Sequence, residues 1–331
     1  MNCKSRCMPR GMVLALLLGA LAAPGVFAQA YPAKPITIVL PQEPGGPGDA
    51  VARFLAQAMG KPLQQKLIIE NVGGAGGNIG VARAAKANPD GYTLLLQHIG
   101  ISTSPALYRN LQFNPITDLE PIGLVADVPL MLLARGNFPP NNFAEFLTHA
   151  RANRDKLSYG NAGLGSASHL CGLLFMSAIG VNFNTVSYKG TGQAMNDMIG
   201  GHIDIMCDAQ TPASAGNLQA GKIKIYGVSS RTPVATLPGV PTLDSLGLKD
   251  FEVTVWRGVF APKNTPQAVQ EKLVAALQEA IRDADFLASL AKLGTRPVAQ
   301  DQATPDALRR HLKSEIDKWG VVIRKAGQYA D

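Results

Sequence analysis

One unit recurs along this chain: a short apolar run, a glycine-rich turn, then a helical pattern. Ile36 to Leu40 leads into Pro44, Gly45, Gly46, Pro47 and Gly48, after which Asp49 opens an amphipathic stretch carrying Val51, Phe54, Leu55 and Met59. Leu67 to Glu70 leads into Gly73, Gly74, Ala75, Gly76, Gly77 and Asn78, then an Ala-rich stretch from Ile79 to Ala87. Leu157 to Gly160 leads into Asn161, Ala162, Gly163, Leu164, Gly165 and Ser166, then a helix through His169, Leu173, Leu174 and Ile179. Val186 to Tyr188 leads into Lys189, Gly190, Thr191 and Gly192, then a helix from Gln193 to Ile199 that Gly200 and Gly201 stop. Strands joined through crossover helices lie parallel, so the repeated order predicts an α/β chain with parallel-rich sheets and flanking helices.

The segments between these units extend the pattern. Tyr92 to Leu96 reads as a strand running into a polar loop from Gln97 to Ser104, and Ile122 to Ala126 and Leu130 to Ala134 read as strands after a breaker-rich connection. Phe143 to Arg151 is helical, Ile203 to Cys207 and Ile223 to Ser229 are strands, and a loop begins over Asp208 to Pro212. Val253 to Ala261 is placed to return the chain to the first domain, and two helices, Pro266 to Ile281 and Pro305 to Ile323, follow. A chain of about 300 residues commonly splits into two domains. The expected division is residues 29–128 plus 258–331 for the first and 129–257 for an inserted second, with crossings near 127–131 and 254–260. Two connections favour hinge bending.

The first 28 residues read as a secretory signal peptide: Lys4, Arg6 and Arg10, an apolar run from Met12 to Ala23, and small residues at Val26 and Ala28 that suit cleavage before Gln29. The run is too short to span a bilayer, which takes about 20 residues. Removing this segment takes three positive charges and no negative ones, so the formal net charge of +7 becomes +4. That modest excess forms no basic stripe, so nucleic acid is not an expected partner. Of the four cysteines, Cys3 and Cys7 leave with the leader. Cys171 and Cys207 read as two small buried hydrophobes, although an oxidising compartment would permit one bridge.

All four glycine loops, Gly45 to Asp49, Gly73 to Asn78, Gly163 to Ser168 and Gly190 to Gln193, fall at carboxyl ends of candidate strands and feed helix starts, the edge where open parallel sheets bind ligands. A helix start offers unpaired N–H groups and roughly half a positive charge, so a loop without side-chain bulk makes an anion site without arginine. Charge-assisted hydrogen bonds contribute about 1.5–3 kcal/mol each, and micromolar affinity needs about 8 kcal/mol net. Five such bonds suffice even after several kcal/mol are lost on association.

Enzyme patterns fail. GxGxxG is absent because Ile79 stands where its last glycine belongs, and Gly216, Gly221 and Lys222 are followed by Ile223 rather than a magnesium-binding Ser or Thr. The five histidines have no zinc spacing, and no metal or cofactor is expected. Ser166, His169 and Asp208 could be drawn as a hydrolase triad, but no GxSxG surrounds the serine; capping the helix is its plainer role. Asp49 likewise suits an N-cap acceptor as well as a ligand contact.

The stretches YPAKPITIVLP at 31–41, PGGPGD at 44–49, GAGGNIG at 74–80, PDGYTLL at 89–95, PALY at 105–108, GLGSASHL at 163–170, YKGTGQAMNDMIGGHIDIMCD at 188–208, PGVPTL at 238–243 and WRGVFAPKNTP at 256–266 resemble, in order, the Bug family of receptors for tripartite tricarboxylate transporters. The resemblance implies a two-domain periplasmic binding protein of the Venus-flytrap, type II-like kind, monomeric, handing a small carboxylate to a membrane permease with a large and a small subunit. It implies a carboxylate pincer of Gly45, Gly46, Asp49, Gly76, Gly77 and Asn78, acting partly through ordered water. It implies an opposing wall of Ser166, Ser168, His169, Lys189, Gly190, Thr191 and Asp208. Dicarboxylates, tricarboxylates, acidic amino acids and aromatic acids are all within the family's range. Gln42 and Glu43 depart from the family pattern, where an aromatic and a proline are common, and Cys207 replaces a usual aromatic. Glu43 or Asp208 could meet an amino or hydroxyl group on the ligand. Arg257 reads as a salt bridge between domains at the hinge, with a distal carboxylate as the other option. Sensing for a signalling partner is the rival function within this class, and a periplasmic hydrolase the rival outside it.

Overall fold

The computed structural model describes residues 31–327 and 329–330, so the predicted leader lies outside the described residues. In chain order the elements are β1 (Ile36–Leu40), α1 (Pro47–Leu63), β2 (Leu67–Asn71), α2 (Asn78–Ala85), β3 (Thr93–His98), α3 (Gly100–Leu107), β4 (Leu119–Asp127), β5 (Leu130–Arg135), α4 (Phe143–Ala152), β6 (Ser158–Asn161) and α5 (Ala167–Ile179). There follow β7 (Asn184–Ser187), α6 (Thr191–Gly200), β8 (Ile205–Ala209), α7 (Pro212–Gln219), β9 (Ile223–Val228), β10 (Arg257–Pro262), α8 (Gln267–Ala280), α9 (Ala284–Lys292), β11 (Arg296–Pro297) and α10 (Pro305–Ala326).

Local chemistry accounts for most of these elements. Ile36, Ile38, Val39 and Leu40 of β1 are fully buried, as a central strand covered on both faces requires. Helix α10 starts at Thr304, whose hydroxyl accepts from the Ala307 amide, with Pro305 in its first turn, and ends at Gly327 in the left-handed region. It buries Leu308, Leu312, Trp319 and Ile323 at helical spacing.

The strands form two sheets, ordered β11-β4-β10-β3-β1-β2 and β7-β6-β8-β5-β9. Both are mixed. In the first, β1 pairs in parallel with β2 and β3, whereas β10 is antiparallel to β3 and β4. In the second, β6 pairs in parallel with β7 and β8, whereas β5 is antiparallel to β8 and β9. The reversals follow from the crossings. Strand β4 ends at the edge where β1 and β3 end, and the chain enters the second sheet at the corresponding edge, so β5 must run backwards; β10 does the same on the return. The two passages are hydrogen-bonded to each other, Val255 N to Val128 O at 2.8 Å and Val128 N to Val255 O at 3.3 Å. The two passages lie at the carboxyl edges of both sheets and turn their loops toward one another.

Several segments differ from the expected pattern, helix α7 and the short strand β11 among them. The polar stretch after β3 is helix α3, in which Ser102, Thr103 and Ser104 are buried and bond back to Ile99 O and Gly100 O. Helix α9 was not expected, and the strand expected from Val253 begins only at Arg257 because residues 253–256 form the passage itself. Cys171 and Cys207 form a disulfide rather than a pair of free buried thiols, bonding α5 to β8 in the fully buried interior.

Candidate functional site

The first wall is shaped from within by Asp49. Its Oδ2 accepts from the Gly45 amide at 3.1 Å and Arg53 Nε at 2.9 Å, and its Oδ1 accepts from Arg53 Nη2 and Asn71 Nδ2, both at 3.1 Å. Burial raises the Asp49 pKa, but these partners together outweigh it and hold the group below the usual carboxylate value. Asp49 is not the N-cap: Gly46 is, with no side chain bonded to the helix end. Both oxygens of Asp49 are engaged by protein, so it fixes the loop that presents Gly45 and Gly46. The second loop turns through Gly74, Ala75, Gly76 and Gly77, all at positive φ, and α2 opens at Gly77, again without a side-chain cap. Asn78 follows, with Oδ1 accepting from Ser104 Oγ at 2.7 Å and a buried Nδ2 that has no partner.

On the second wall Asn161 ends β6 in the same condition. Its Oδ1 accepts from the Gly163 amide at 2.8 Å and its buried Nδ2 has no partner. Ser166 caps α5, accepting from the His169 amide at 3.2 Å, and Ser168 Oγ accepts from Ala162 N at 2.8 Å. His169 is buried, its Nδ1 accepting from Gly165 N at 3.2 Å. Asp208 binds Thr191 Oγ1 through Oδ1 at 3.4 Å, and its Oδ2 is buried without a partner. Burial pushes Asp208 up to about 7 against the opposing pull of the Ala209 amide and Thr191. Ser166 meets the backbone of His169, and Asp208 meets Thr191. Lys189 is exposed, and its amide donates to Gln193 Oε1 at 3.3 Å. Gly190 opens α6 uncapped.

The loops of each wall interlock. Asn71 joins the first two by bonding Gln42 O and Asp49 together, and a methyl at Gly77 would stand 3.0 Å from Pro41 O. Across the walls, a methyl at Gly165 would stand 2.6 Å from Leu107 Cδ1 and 3.7 Å from Thr103 Oγ1, so the Gly163–Ser166 turn lies against α3. No such contact joins Gly45 and Gly46 to Gly190 and Thr191 among the described residues. Glu43 is exposed.

Three residues outside the expected set belong here. Gln42 Nε2 is buried without a partner, Asn161 has just been described, and Arg257 makes no interdomain salt bridge: its Nε and Nη1 are buried and unpartnered. The hinge is braced instead by Trp256 Nε1 and Trp319 Nε1, donating to Glu315 Oε2 at 3.2 and 2.8 Å. Asn161, a polar residue at the carboxyl end of a strand before a glycine turn, carried a readable signal; the isolation of Arg257 did not. No group of three potential metal ligands occurs among the described residues, and none of their helices is long and apolar enough to cross a membrane.

Two α/β lobes joined at the carboxyl edges of their sheets, with unpartnered donors on loops of both, have the architecture of a solute-binding protein. Residues 51–328 match the family described as "Tripartite tricarboxylate transporter family receptor". A protein of Agrobacterium vitis, from the TAR-I ttuE-ttuC' intergenic region, is 45% identical over 318 residues, covering 95% of this chain and 91% of its own. The solved periplasmic binding protein BugD is 46% identical, with TM-score 0.81 over 90% of this chain and 99% of that one. MatC of Rhodopseudomonas palustris, solved with bound malate, is 36% identical, with TM-score 0.79 over 88% and 100%. The chain belongs to the tripartite tricarboxylate transporter receptor family, that of the Bug proteins, and is a binding receptor rather than an enzyme.

Proposed function

We propose that this receptor works in the periplasm, closing the lobe of residues 29–128 plus 258–331 and the lobe of residues 129–257 around a small carboxylate. It then delivers the ligand to a permease of one large and one small membrane subunit. The carrying observation is the matched pair Asn78 and Asn161, one on each wall. Each has its carbonyl oxygen fixed by the protein and its buried amide nitrogen free to donate. A buried donor without a partner costs about 1–3 kcal/mol, and an anion held between the walls repays that cost twice. The open helix ends at Gly46, Gly77 and Gly190 add backbone donors and positive helix-dipole ends. Malate is the first ligand to test, since a relative 36% identical was solved with it.

Titration calorimetry of the mature chain with malate, citrate, aspartate and benzoate tests the reading. Binding of at least one acid is expected, weakened about tenfold or more in both Asn78→Ala and Asn161→Ala, since each removes a charge-assisted hydrogen bond. No binding of any acid, or binding that ignores both substitutions, would overturn it. Uptake of the bound acid by cells carrying the permease, lost when the receptor is deleted, tests delivery.

A further inference from the structure

Arg257 lies at the carboxyl edge of the first sheet. It is the first residue of β10, and because β10 runs against β3, its cross-strand neighbour is His98, the last residue of β3. That register puts the guanidinium at the carboxyl edge from which the first-wall loops rise. A methyl at Gly48, in the first turn of α1, would stand 3.1 Å from Arg257 Nη1. The side of Gln42 also reaches that point, and Gln42 Nε2 is a second buried donor without a partner.

Arg257 is 4% exposed, and neither its Nε nor its Nη1 has a hydrogen-bond partner. No carboxylate forms an ion pair with it among the described residues. The nearest titratable ring, His98, offers no negative charge: its Nδ1 accepts from Gly100 N at 2.8 Å, and burial together with Arg257 pushes it down to about 3, leaving it neutral. Buried arginines are ordinarily paired, because an uncompensated interior charge is strongly destabilising. A cation kept here without a protein partner has one chemical complement, an anion that arrives from outside.

We propose that Arg257 is the charge-reading residue of the first wall, its guanidinium meeting an ionised carboxylate of the ligand beside the first turn of α1. This rests on the carboxylate reading above and sharpens it. Backbone amides accept any oxygen acceptor, whereas a buried guanidinium separates an acid from its amide. Burial lowers the Arg257 pKa only to about 10, so it stays charged at neutral pH.

Arg257→Gln and Arg257→Lys in the mature chain test this, with calorimetry against malate, citrate, aspartate and benzoate and against the monoamide of whichever acid binds best. The expected result for Arg257→Gln is an affinity for the acid lower by about 10- to 100-fold, the equivalent of one hydrogen bond to a charged group. The ratio of acid to monoamide affinity should collapse toward one, while Arg257→Lys keeps most of it. The ligand-free melting temperature of Arg257→Gln should rise, because an unpaired buried charge has been removed. A structural bridge would show the opposite sign, with stability and affinity falling together and the acid-to-amide ratio unchanged. That pattern, or wild-type affinity in Arg257→Gln, overturns this proposal alone. Failure of the wild-type chain to bind any acid overturns it together with the carboxylate reading.

Discussion

The two walls of the cleft solve one problem with different materials. On the first, α1 and α2 open on Gly46 and Gly77, and no side chain closes either helix end. On the second, α5 is closed by its own Ser166, and the atoms left over belong to side chains, Asn161 Nδ2 and Asp208 Oδ2. Backbone donors survive any point mutation except one to proline, so they suit the part of a ligand that is constant, which on the carboxylate reading is its acid group. Side-chain atoms can be exchanged one at a time, so they suit the part that differs between ligands. The contrast is one of emphasis, since Asn78 Nδ2 and Arg257 on the first wall are also unpartnered and α6 on the second opens uncapped at Gly190; we propose that anchoring falls mainly to the first lobe and selection mainly to the second.

This emphasis makes the second wall depend on how firmly its side chains are held, and the disulfide is a covalent part of that hold. Cys207 immediately precedes Asp208, and its bond to Cys171 closes a separation of 36 residues. A loop of that length gives about 4 kcal/mol in the chain-entropy description. Replacing both cysteines by alanine should lower unfolding stability by about that amount in denaturant titrations, with the loss confined to the second lobe in hydrogen exchange. A loss below about 1 kcal/mol would show that the core around Tyr159 and Phe175 holds the wall unaided.

Asp208 comes next. Its pKa is about 7 in the folded chain against an ordinary 3.8, so the folded state holds the extra proton between those values. Stability is therefore fully present below about pH 4 and is lost as pH rises through about 7. Asp208→Asn should remove that slope, making the ligand-free protein about 4 kcal/mol more stable than wild type at pH 8 and little different at pH 4. Thermal melts across this range check it. The same substitution should weaken an acid carrying an amino or hydroxyl donor more than one lacking it, and equal effects would deny Asp208 a selecting role.

The walls also differ in how much of them could be read from sequence. Glycine turns and short apolar runs are local signals, so β1, β2 and β6 and their loops are legible from sequence. Helix α3 did not, because Ser102, Thr103 and Ser104 are weak helix formers; they are held helical by their own backward hydrogen bonds and by burial. Helix α7 carries a capping box, but with Ser214 in the place usually held by Glu or Gln. Asp49 read as a cap, whereas it is wired to Gly45, Arg53 and Asn71, and Asn71 lies 22 residues away. Arg257 read as a hinge salt bridge because a charge beside Trp256 invites one. Whether a buried charge has a partner is a property of the assembled chain, and no local pattern encodes it.

Gly77 tests whether the first wall needs glycine itself. Its φ of 94° suits few other residues, and a methyl there would press on Pro41 O at 3.0 Å and Pro41 Cβ at 3.1 Å. Gly77→Ala should cost about 1–3 kcal/mol of stability and shift the amides of α2, weakening every acid alike. Selective weakening of one acid would mean that this loop discriminates, and the division between the walls would fail.

Gly190 gives the smallest effect on stability and the sharpest comparison. Its φ is 175°, extended backbone open to any residue, and a methyl there would meet nothing within 4 Å. Gly190→Ala should therefore change stability by no more than about 1 kcal/mol, the cost of alanine at a helix N-cap, as a denaturant titration would show. Any fall in affinity then reports the ligand rather than the fold, because only a bound molecule could occupy the space the methyl takes. A tenfold loss of malate affinity at unchanged stability would place the ligand against the open end of α6, giving the second wall a backbone anchor of its own. Unchanged affinity would leave that wall to its side chains, as the contrast between the lobes requires.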